Sequence, residues 1–334
     1  MVPVWVGEFS REEVPMRRAL VVALALLGIS GLLAAACGGE EAPAGEARQK
    51  VVVAVQPTLA SSEMLEKARP LEQFLEQRLG NVDVEIYVPT SYAGIVEALR
   101  FGHAQVAFMS AWPSYLATQL ADADLVLAEV REVVHGEQKV EAPYYYSYWV
   151  VRKDSPYNSL SDLRGKKACF PSPLSTSGYV GPMGRLVELG LLQTPSSGQV
   201  DPKAFFSDYI FGGGYQQCWQ ALRAGQVDVS IIAGDVPESL YREVLANTRQ
   251  LESQGPLPSH AVVFGKTLQE PLRSRVLEAI EALGAPEQRD LMRQFISALF
   301  VGFQRSSAEE HLGALQRYLS LTHLQFTESL SAAR

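Results

Sequence analysis

The feature that most constrains the fold is an alternation, from Lys50 onward, of short apolar runs with longer stretches of helical apolar spacing. Val51–Val55 is a continuous apolar run, typical of a buried strand, whereas residues 62–79 place their apolar side chains on one face of a helix. The same pair of patterns recurs along the chain. Strands that alternate with helices predict an α/β architecture with largely parallel sheets.

The alternation falls into two groups, and the aromatic run at residues 144–151 is the candidate crossing between them. This order predicts two α/β lobes, the second inserted into the first through two crossover segments, with a ligand cleft between the lobes at the carboxyl ends of the strands. Lobe 1 would comprise residues 50–145 and 246–334, and lobe 2 residues 146–245. The other predicted strands are 82–88, 106–109, 125–134, 167–170, 209–211, 227–233 and 261–264, and the other predicted helices are 92–101, 176–192, 215–224, 270–283, 286–303 and 308–319.

The N-terminal segment has the pattern of an export signal. Ala19–Ala36 carries no charge, Arg17 and Arg18 precede it, and small residues lead directly into Cys37. These small residues resemble a bacterial lipobox, in which the cysteine is acylated and the leader is removed. We therefore expect residues 1–36 to be a lipoprotein signal peptide, residues 37–49 a flexible tether and Cys37 the lipidation site. A cleaved protein without lipid and a retained membrane anchor are the alternatives.

Acidic residues are unusual in the first part of a signal peptide, and Glu8, Glu12 and Glu13 all lie before Met16. Met16 is therefore predicted to be the true start.

The charge balance argues against a nucleic-acid partner, because 29 Lys and Arg face 37 Asp and Glu, a net charge of −8, without any basic run. The five histidines show no metal-ligand spacing, and no hydrolase or metalloprotease motif is present. The sequence therefore predicts no enzyme, no metal and no cofactor.

Two cysteines remain if Cys37 is acylated, namely Cys169 and Cys218. An even pair in an exported protein predicts a disulfide. Two buried free thiols, or a thiol pair that binds a soft ligand such as trivalent arsenic, are the alternatives.

The strongest local signal is Ser175-Thr176-Ser177, which opens a helix directly after a strand and its loop. Three hydroxyls and the free N–H groups of a first helical turn bind an anion without any cationic side chain. A plain N-cap is the alternative. Asp235 also follows a strand, and Tyr215 opens a helix after a Gly-rich loop, so these residues are expected to meet at the same cleft.

Two further residues lie in the first half of the chain. Tyr92 opens a helix, and Trp112 follows the strand at 106–109, in a predicted loop. Trp112 is expected either to cap an organic substituent or to pack.

The order of these elements resembles the phosphonate/phosphite substrate-binding family of ABC transporters, whose binding proteins have the two-lobed, periplasmic-binding-protein-like (type II) fold. The Ser-Thr-Ser-Gly-Tyr stretch at 175–179 and the helix–Gly–strand unit at 92–108 carry the resemblance. It implies that the 175–177 hydroxyls and helix N-terminus hold an oxyanion, that Tyr92 reaches the ligand, and that Asp235 accepts a proton-bearing ligand oxygen. Asp235 as a helix cap and Tyr92 as a half-buried packing tyrosine are the alternatives. Relatives often carry a histidine where Tyr215 stands.

These observations predict a lipid-anchored, extracytoplasmic solute-binding protein that captures a small phosphorus oxyanion (phosphonate, phosphite or phosphate) and delivers it to an ABC permease. A sensor that presents the ligand to a membrane histidine kinase is one alternative, and a binder of another oxyanion such as arsenite is a second. A hydrolase of phosphate esters is a third, and the absence of metal-ligand spacing weighs against it.

Overall fold

The computed structural model describes residues 48–56 and 61–325, so the predicted leader, Met16 and Cys37 lie outside the described residues. The strands are β1 (Gln49–Val55), β2 (Val82–Tyr87), β3 (Val106–Met109), β4 (Asp124–His135), β5 (Gln138–Ala142), β6 (Tyr144–Arg152), β7 (Lys167–Phe170), β8 (Asp208–Phe211), β9 (Val229–Ala233), β10 (Thr248–Pro258), β11 (Ala261–Phe264) and β12 (Phe300–Arg305). The helices are α1 (Ser61–Leu79), α2 (Tyr92–Arg100), α3 (Ala111–Leu120), α4 (Gly181–Glu188), α5 (Tyr215–Arg223), α6 (Glu238–Asn247), α7 (Leu272–Ala282), α8 (Arg289–Phe295) and α9 (Ala308–Thr322).

The strands form two sheets, which confirms the predicted α/β class. The larger sheet has the order β12–β4–β11–β3–β1–β2, with β5 paired to β4, and the smaller sheet has the order β10–β6–β9–β7–β8. Strands β1, β2 and β3 run parallel, as do β7, β8 and β9. The parallel strands of each sheet therefore send their carboxyl ends toward one edge, where the following loops can build a site.

Helices cover both faces of the larger sheet. Val51, Val53 and Val55 of β1 share a core with α1, α7 and α8, whereas Ala54 faces the core that includes α2 and α3. A strand buried on both faces reads as a continuous apolar run, as predicted for residues 51–55. Edge strand β2 instead alternates between buried and exposed positions. None of the helices within the described ranges combines the length and apolar character of a membrane span.

The helix predicted at 286–303 is wrong in its second half. Helix α8 ends at Phe295, and residues 300–305 form β12, an edge strand that pairs antiparallel with β4. The apolar residues of this stretch fit a helical period, but pairing with the long strand β4 overrides that local preference.

The return from the smaller sheet also differs from expectation. Strand β10 pairs antiparallel with β6, so the smaller sheet takes residues as far as Pro258, and β11 is the first strand back in the larger sheet. This change of sheet lies beyond the predicted lobe boundary at 245/246. We propose that the second lobe extends to Pro258.

Candidate functional site

A cavity of about 600 Å³ lies between the two sheets. Its walls are built from the loops that follow β1, β3, β7, β8 and β9, together with side chains from β4 and β6. The larger sheet contributes one wall, which includes Gln56, Ser110, Arg131 and His260, and the segments of the smaller sheet contribute the facing wall. The arrangement follows from the common direction of the parallel strands in each sheet.

The wall of the smaller sheet contains the predicted Ser-Thr-Ser turn. Residues Thr176–Val180 form a π-helical turn that leads into α4, and the Ser175 hydroxyl accepts a hydrogen bond from the Gly178 N–H at 2.8 Å. Ser175 is therefore the N-cap that the alternative interpretation required. Among the described residues, the backbone N–H groups of Thr176 and Ser177 have no protein acceptor. They are the unpaired donors of a helix start, and both residues line the cavity.

The three hydroxyls of this turn are not equivalent, although the sequence suggested that all three converge on the ligand. The Ser177 hydroxyl lies 3.1 Å from the Tyr145 hydroxyl and 2.7 Å from that of Tyr215. The Ser175 hydroxyl caps Gly178, which leaves Thr176 as the residue of the three whose hydroxyl has no partner in the described part of the chain. Tyr215 thus lines the cavity, and its hydroxyl lies within hydrogen-bond distance of the Ser175 and Ser177 hydroxyls.

The facing wall holds a cation, Arg131, which was not predicted from the sequence to lie at the site. Arg131 is 4% exposed, and its Nε and Nη2 lie 2.9 and 2.8 Å from the carboxylate of the fully buried Glu129. Its Nη1 lies 3.5 Å from Oδ2 of Asp235, across the cavity. One guanidinium therefore bridges a carboxylate of its own strand and a carboxylate from the other sheet.

Asp235 lies in the loop after β9, and it is not a helix cap, because α6 is preceded by Pro237 in the capping position. Burial raises the pKa of the Asp235 carboxyl to about 6, although the Arg131 guanidinium opposes this rise. The group is thus ionised at neutral pH and protonated in mild acid. An ionised carboxylate accepts hydrogen bonds and repels a bare oxyanion, so it favours a ligand oxygen that carries a proton.

The phenols and the imidazole of the cavity stay neutral. Burial, with the Asp235 carboxylate adding to it, raises the pKa of Tyr145 and of Tyr215 above the ordinary phenol value. Burial also lowers the pKa of His260 well below its ordinary value, and Arg131 adds to the effect. Both phenols can therefore donate a hydrogen bond, and the imidazole carries no charge at neutral pH.

Trp112 and Tyr92 are the two remaining residues predicted to bind the ligand. Trp112 lies in the first turn of α3, where a loop was expected, and its side chain is 2% exposed within the hydrophobic core rather than in the cavity wall. Pro113 is tolerated in a first helical turn, so the helix starts directly after β3. Helix α2 begins at Tyr92, whose side chain lies outside the described part of the structure.

Several cavity residues were missed from the sequence, namely Gln56, Ser110, Arg131 and Tyr145. A signal for Arg131 exists, because Glu129 and Arg131 are opposite charges two residues apart in an apolar strand, and alternate residues share one face of a strand. Gln56 had the same signal as Asp235, since it directly follows a buried strand. In the described ranges, no group of three or more His, Cys, Asp or Glu side chains is arranged to hold a metal ion.

A disulfide joins Cys169 of β7 to Cys218 of α5, with Cα atoms 5.4 Å apart. It lies beneath the Gly-rich loop, because a Cβ on Gly212 would meet the Cys218 sulfur at 2.8 Å and the Cys169 sulfur at 3.0 Å. Cys218 is three residues from Tyr215, one helical turn along α5. The covalent bond thus ties the strand that leads to Ser175 to the helix that carries Tyr215.

Replacing both cysteines by alanine (C169A/C218A) is expected to lower the free energy of unfolding by about 4 kcal/mol, because the bond closes a loop of 49 residues. Guanidinium denaturation with and without reductant measures this. The wild-type midpoint should fall in reductant and that of the variant should not change. Equal midpoints for the wild type and C169A/C218A in the absence of reductant would contradict the prediction.

The chain is similar in sequence to several known proteins. A family model described as the periplasmic phosphonate substrate-binding protein of ABC transporters matches residues 53–311. The phosphate-import protein PhnD of Mycolicibacterium smegmatis is 32% identical over 202 residues, which are 59% of this chain and 60% of that protein's length. The phosphonates-binding periplasmic protein of Escherichia coli is 24% identical over 270 residues, 78% of this chain and 73% of that protein.

A solved structure supports the fold alone. The binding-protein component of an ABC phosphonate transporter from Pseudomonas aeruginosa superposes with a TM-score of 0.59 at 21% identity, covering 82% of this chain and 86% of that one. The two-lobed, periplasmic-binding-protein-like (type II) fold predicted from the sequence is thereby confirmed.

Proposed function

The chain belongs to the phosphonate periplasmic substrate-binding protein family of ABC transporters, and we propose that its cavity binds a phosphonate, phosphite or phosphate group between the two sheets. One observation carries the proposal. The N–H groups of Thr176 and Ser177, which have no acceptor among the described residues, lie on one wall of the cavity, and the Arg131 guanidinium lies on the facing wall. Helix N–H donors and a guanidinium are the groups that bind phosphorus oxyanions most effectively in proteins.

Asp235 supplies the selectivity in this proposal. A phosphorus oxyanion that keeps one proton can donate to the carboxylate while its bare oxygens accept from Arg131 and the helix N-terminus. Sulfate has no proton to donate at neutral pH, so it would place a bare oxygen against a carboxylate. The net charge of −8 is spread over the whole chain, and salt screens exposed charges that lie more than about 10 Å from the ligand.

The protein would act as a carrier rather than as an enzyme. Its family is a substrate-binding component of transporters, and we infer that the closed, liganded form presents the oxyanion to ABC permease subunits. The family is periplasmic, and for this chain we propose attachment to the outer face of the membrane through an acylated Cys37. The arsenite alternative loses its support from Cys169 and Cys218, because the disulfide engages both thiols.

Calorimetric titration with phosphate, phosphite, methylphosphonate, 2-aminoethylphosphonate, arsenite and sulfate tests the proposal. We expect saturable one-to-one binding of at least one phosphorus oxyanion and none of sulfate. Failure of every phosphorus ligand to bind would overturn the proposed function.

Thr176→Val should weaken the binding of that ligand 10- to 100-fold, because the change removes a hydroxyl donor to a charged group while keeping the side-chain shape. Thr118→Val is the matched control, since the Thr118 hydroxyl donates to the Tyr115 carbonyl within α3. Equal affinities of both variants for the ligand would contradict the assigned role of Thr176. Ser175→Ala is a poorer test, because it also removes the helix cap.

A further inference from the structure

Gln56 is a buried polar residue that the proposed function does not yet use. It directly follows β1, its side chain is 6% exposed, and it lines the cavity on the wall of the larger sheet. Its backbone N–H donates to the Phe108 carbonyl at 2.9 Å, which continues the pairing of β1 with β3 by one residue. The position of Gln56 beside the end of β3 is therefore set by the sheet itself.

Ser110, at the end of β3, determines which way the Gln56 amide faces. Both the backbone N–H and the hydroxyl of Ser110 lie 2.8 Å from Oε1 of Gln56. The opposite orientation of the amide would place its NH₂ group against the Ser110 N–H, donor against donor. The amide oxygen is thus held at Ser110, and the NH₂ group must lie on the other side.

The NH₂ group of Gln56 has no acceptor among the described residues. Its nitrogen is not among the fully buried polar atoms that lack a partner, and Gln56 lines the cavity, so this donor is open to a molecule in the cavity. Helix α3 starts beside it, and the Ser110 side chain donates to Gln56 instead of capping that helix. The Gln56 NH₂ group is therefore a donor on the wall opposite Thr176.

We propose that Gln56 is a ligand-binding and specificity-determining residue, whose NH₂ group donates to an unprotonated oxygen of the bound phosphorus oxyanion, with Ser110 as its positioning residue. The inference rests on the proposed function and adds a requirement to it. The ligand must present a bare oxygen to Gln56 and a protonated oxygen to Asp235. A singly protonated phosphonate or phosphate meets both requirements at once.

Gln56→Glu is the sharpest test, because it keeps the side-chain shape. The introduced carboxylate still accepts both Ser110 donors, but its second oxygen then faces the ligand anion. At pH 7 we expect the affinity for methylphosphonate to fall at least about 100-fold, because one charged hydrogen bond is lost and the carboxylate repels the anion. As the pH is lowered and the introduced carboxyl takes up a proton, the affinity of Q56E should approach that of the wild type at the same pH.

Gln105→Glu is the matched control, because the Gln105 side chain lies away from the cavity. Its amide oxygen accepts from the Val52 N–H, and its NH₂ group donates to the Gly102 carbonyl. It should bind as the wild type does. Ser110→Ala should weaken binding several-fold and Ser110→Thr should restore it, because threonine keeps the hydroxyl. Gln56→Met adds no charge and should still cost about tenfold, which keeps the test valid if Q56E is unstable.

The outcomes separate this inference from the proposed function. If the wild type binds methylphosphonate and Thr176→Val weakens it, but Q56E and Q56M bind within twofold of the wild type, Gln56 has no role and the proposed function stands. If the wild type binds no phosphorus oxyanion, the proposed function fails and this inference fails with it. A loss in Q56E that recovers at low pH, with Q105E unchanged, supports the assignment.

Discussion

Arg131→Met is expected to weaken the binding of methylphosphonate by at least about 100-fold, because it removes the cation from the larger-sheet wall and leaves the Asp235 carboxylate without a counter-charge. Calorimetry measures the change. Arg273→Met is the control, since Arg273 pairs with the exposed Asp124 away from the cavity. Binding by R131M within tenfold of the wild type would contradict the assigned role of Arg131.

The same substitution also acts on the fold, and the two effects can be separated. Without Arg131 the fully buried Glu129 has lost its partner, which should cost about 3–5 kcal/mol in the free energy of unfolding. The double variant E129Q/R131M removes both charges and should recover most of that stability while ligand binding stays weak. Recovery of binding together with stability would show that Arg131 acts only on the fold.

Asp235→Asn is expected to change the ligand preference. The wild-type carboxylate repels the bare oxygens of sulfate, whereas an asparagine amide can donate to them, so D235N should bind sulfate about 100-fold more tightly than the wild type. Asp124→Asn, a change at an exposed ion pair, is the control and should leave sulfate binding unchanged. Rejection of sulfate by D235N would contradict the proposed role of Asp235.

The pH dependence of stability provides an independent check on Asp235. The folded-state pKa of about 6 lies above the ordinary 3.8, so between these values the folded protein holds more protons than the unfolded chain. Asp235 therefore lowers the wild-type free energy of unfolding as the pH rises from about 4 to about 6, by about 3 kcal/mol in all, with no further change above. Denaturation of D235N should lack this fall.

The sequence predicts the part of the site that follows strands. Ser175 and Thr176 open a helix after β7 and its loop, and Asp235 lies two residues after β9. Strand ends meet at one edge of a parallel sheet, so the convergence of these residues could be inferred without coordinates. The hydrogen bonds of the Ser177 hydroxyl could not be inferred in this way, because its partners Tyr145 and Tyr215 are 32 and 38 residues away along the chain. Such contacts depend on how strands from different parts of the chain are ordered.

Arg131 and Trp112 show the same limit of sequence-based prediction: Arg131 lines the cavity but was not predicted, and Trp112 was predicted but does not line the cavity. Arg131 lies inside a strand, and its place at the cavity depends on the neighbours that the sheet order gives β4. Trp112 follows a strand as Ser175 follows another, yet α3 begins at Ala111 and the side chain of Trp112 is buried in the core. Local sequence thus indicates where a loop or helix start lies, but the direction of each side chain is set by packing.

A crystal structure of the protein with methylphosphonate tests the central claim most directly. We predict that the phosphonate group lies between the two sheets, with its oxygens about 3 Å from the Thr176 and Ser177 N–H nitrogens on one side and from Arg131 Nη1 on the other. A phosphonate group outside this cavity, or in contact with neither Arg131 nor the helix start at Thr176, would contradict the account.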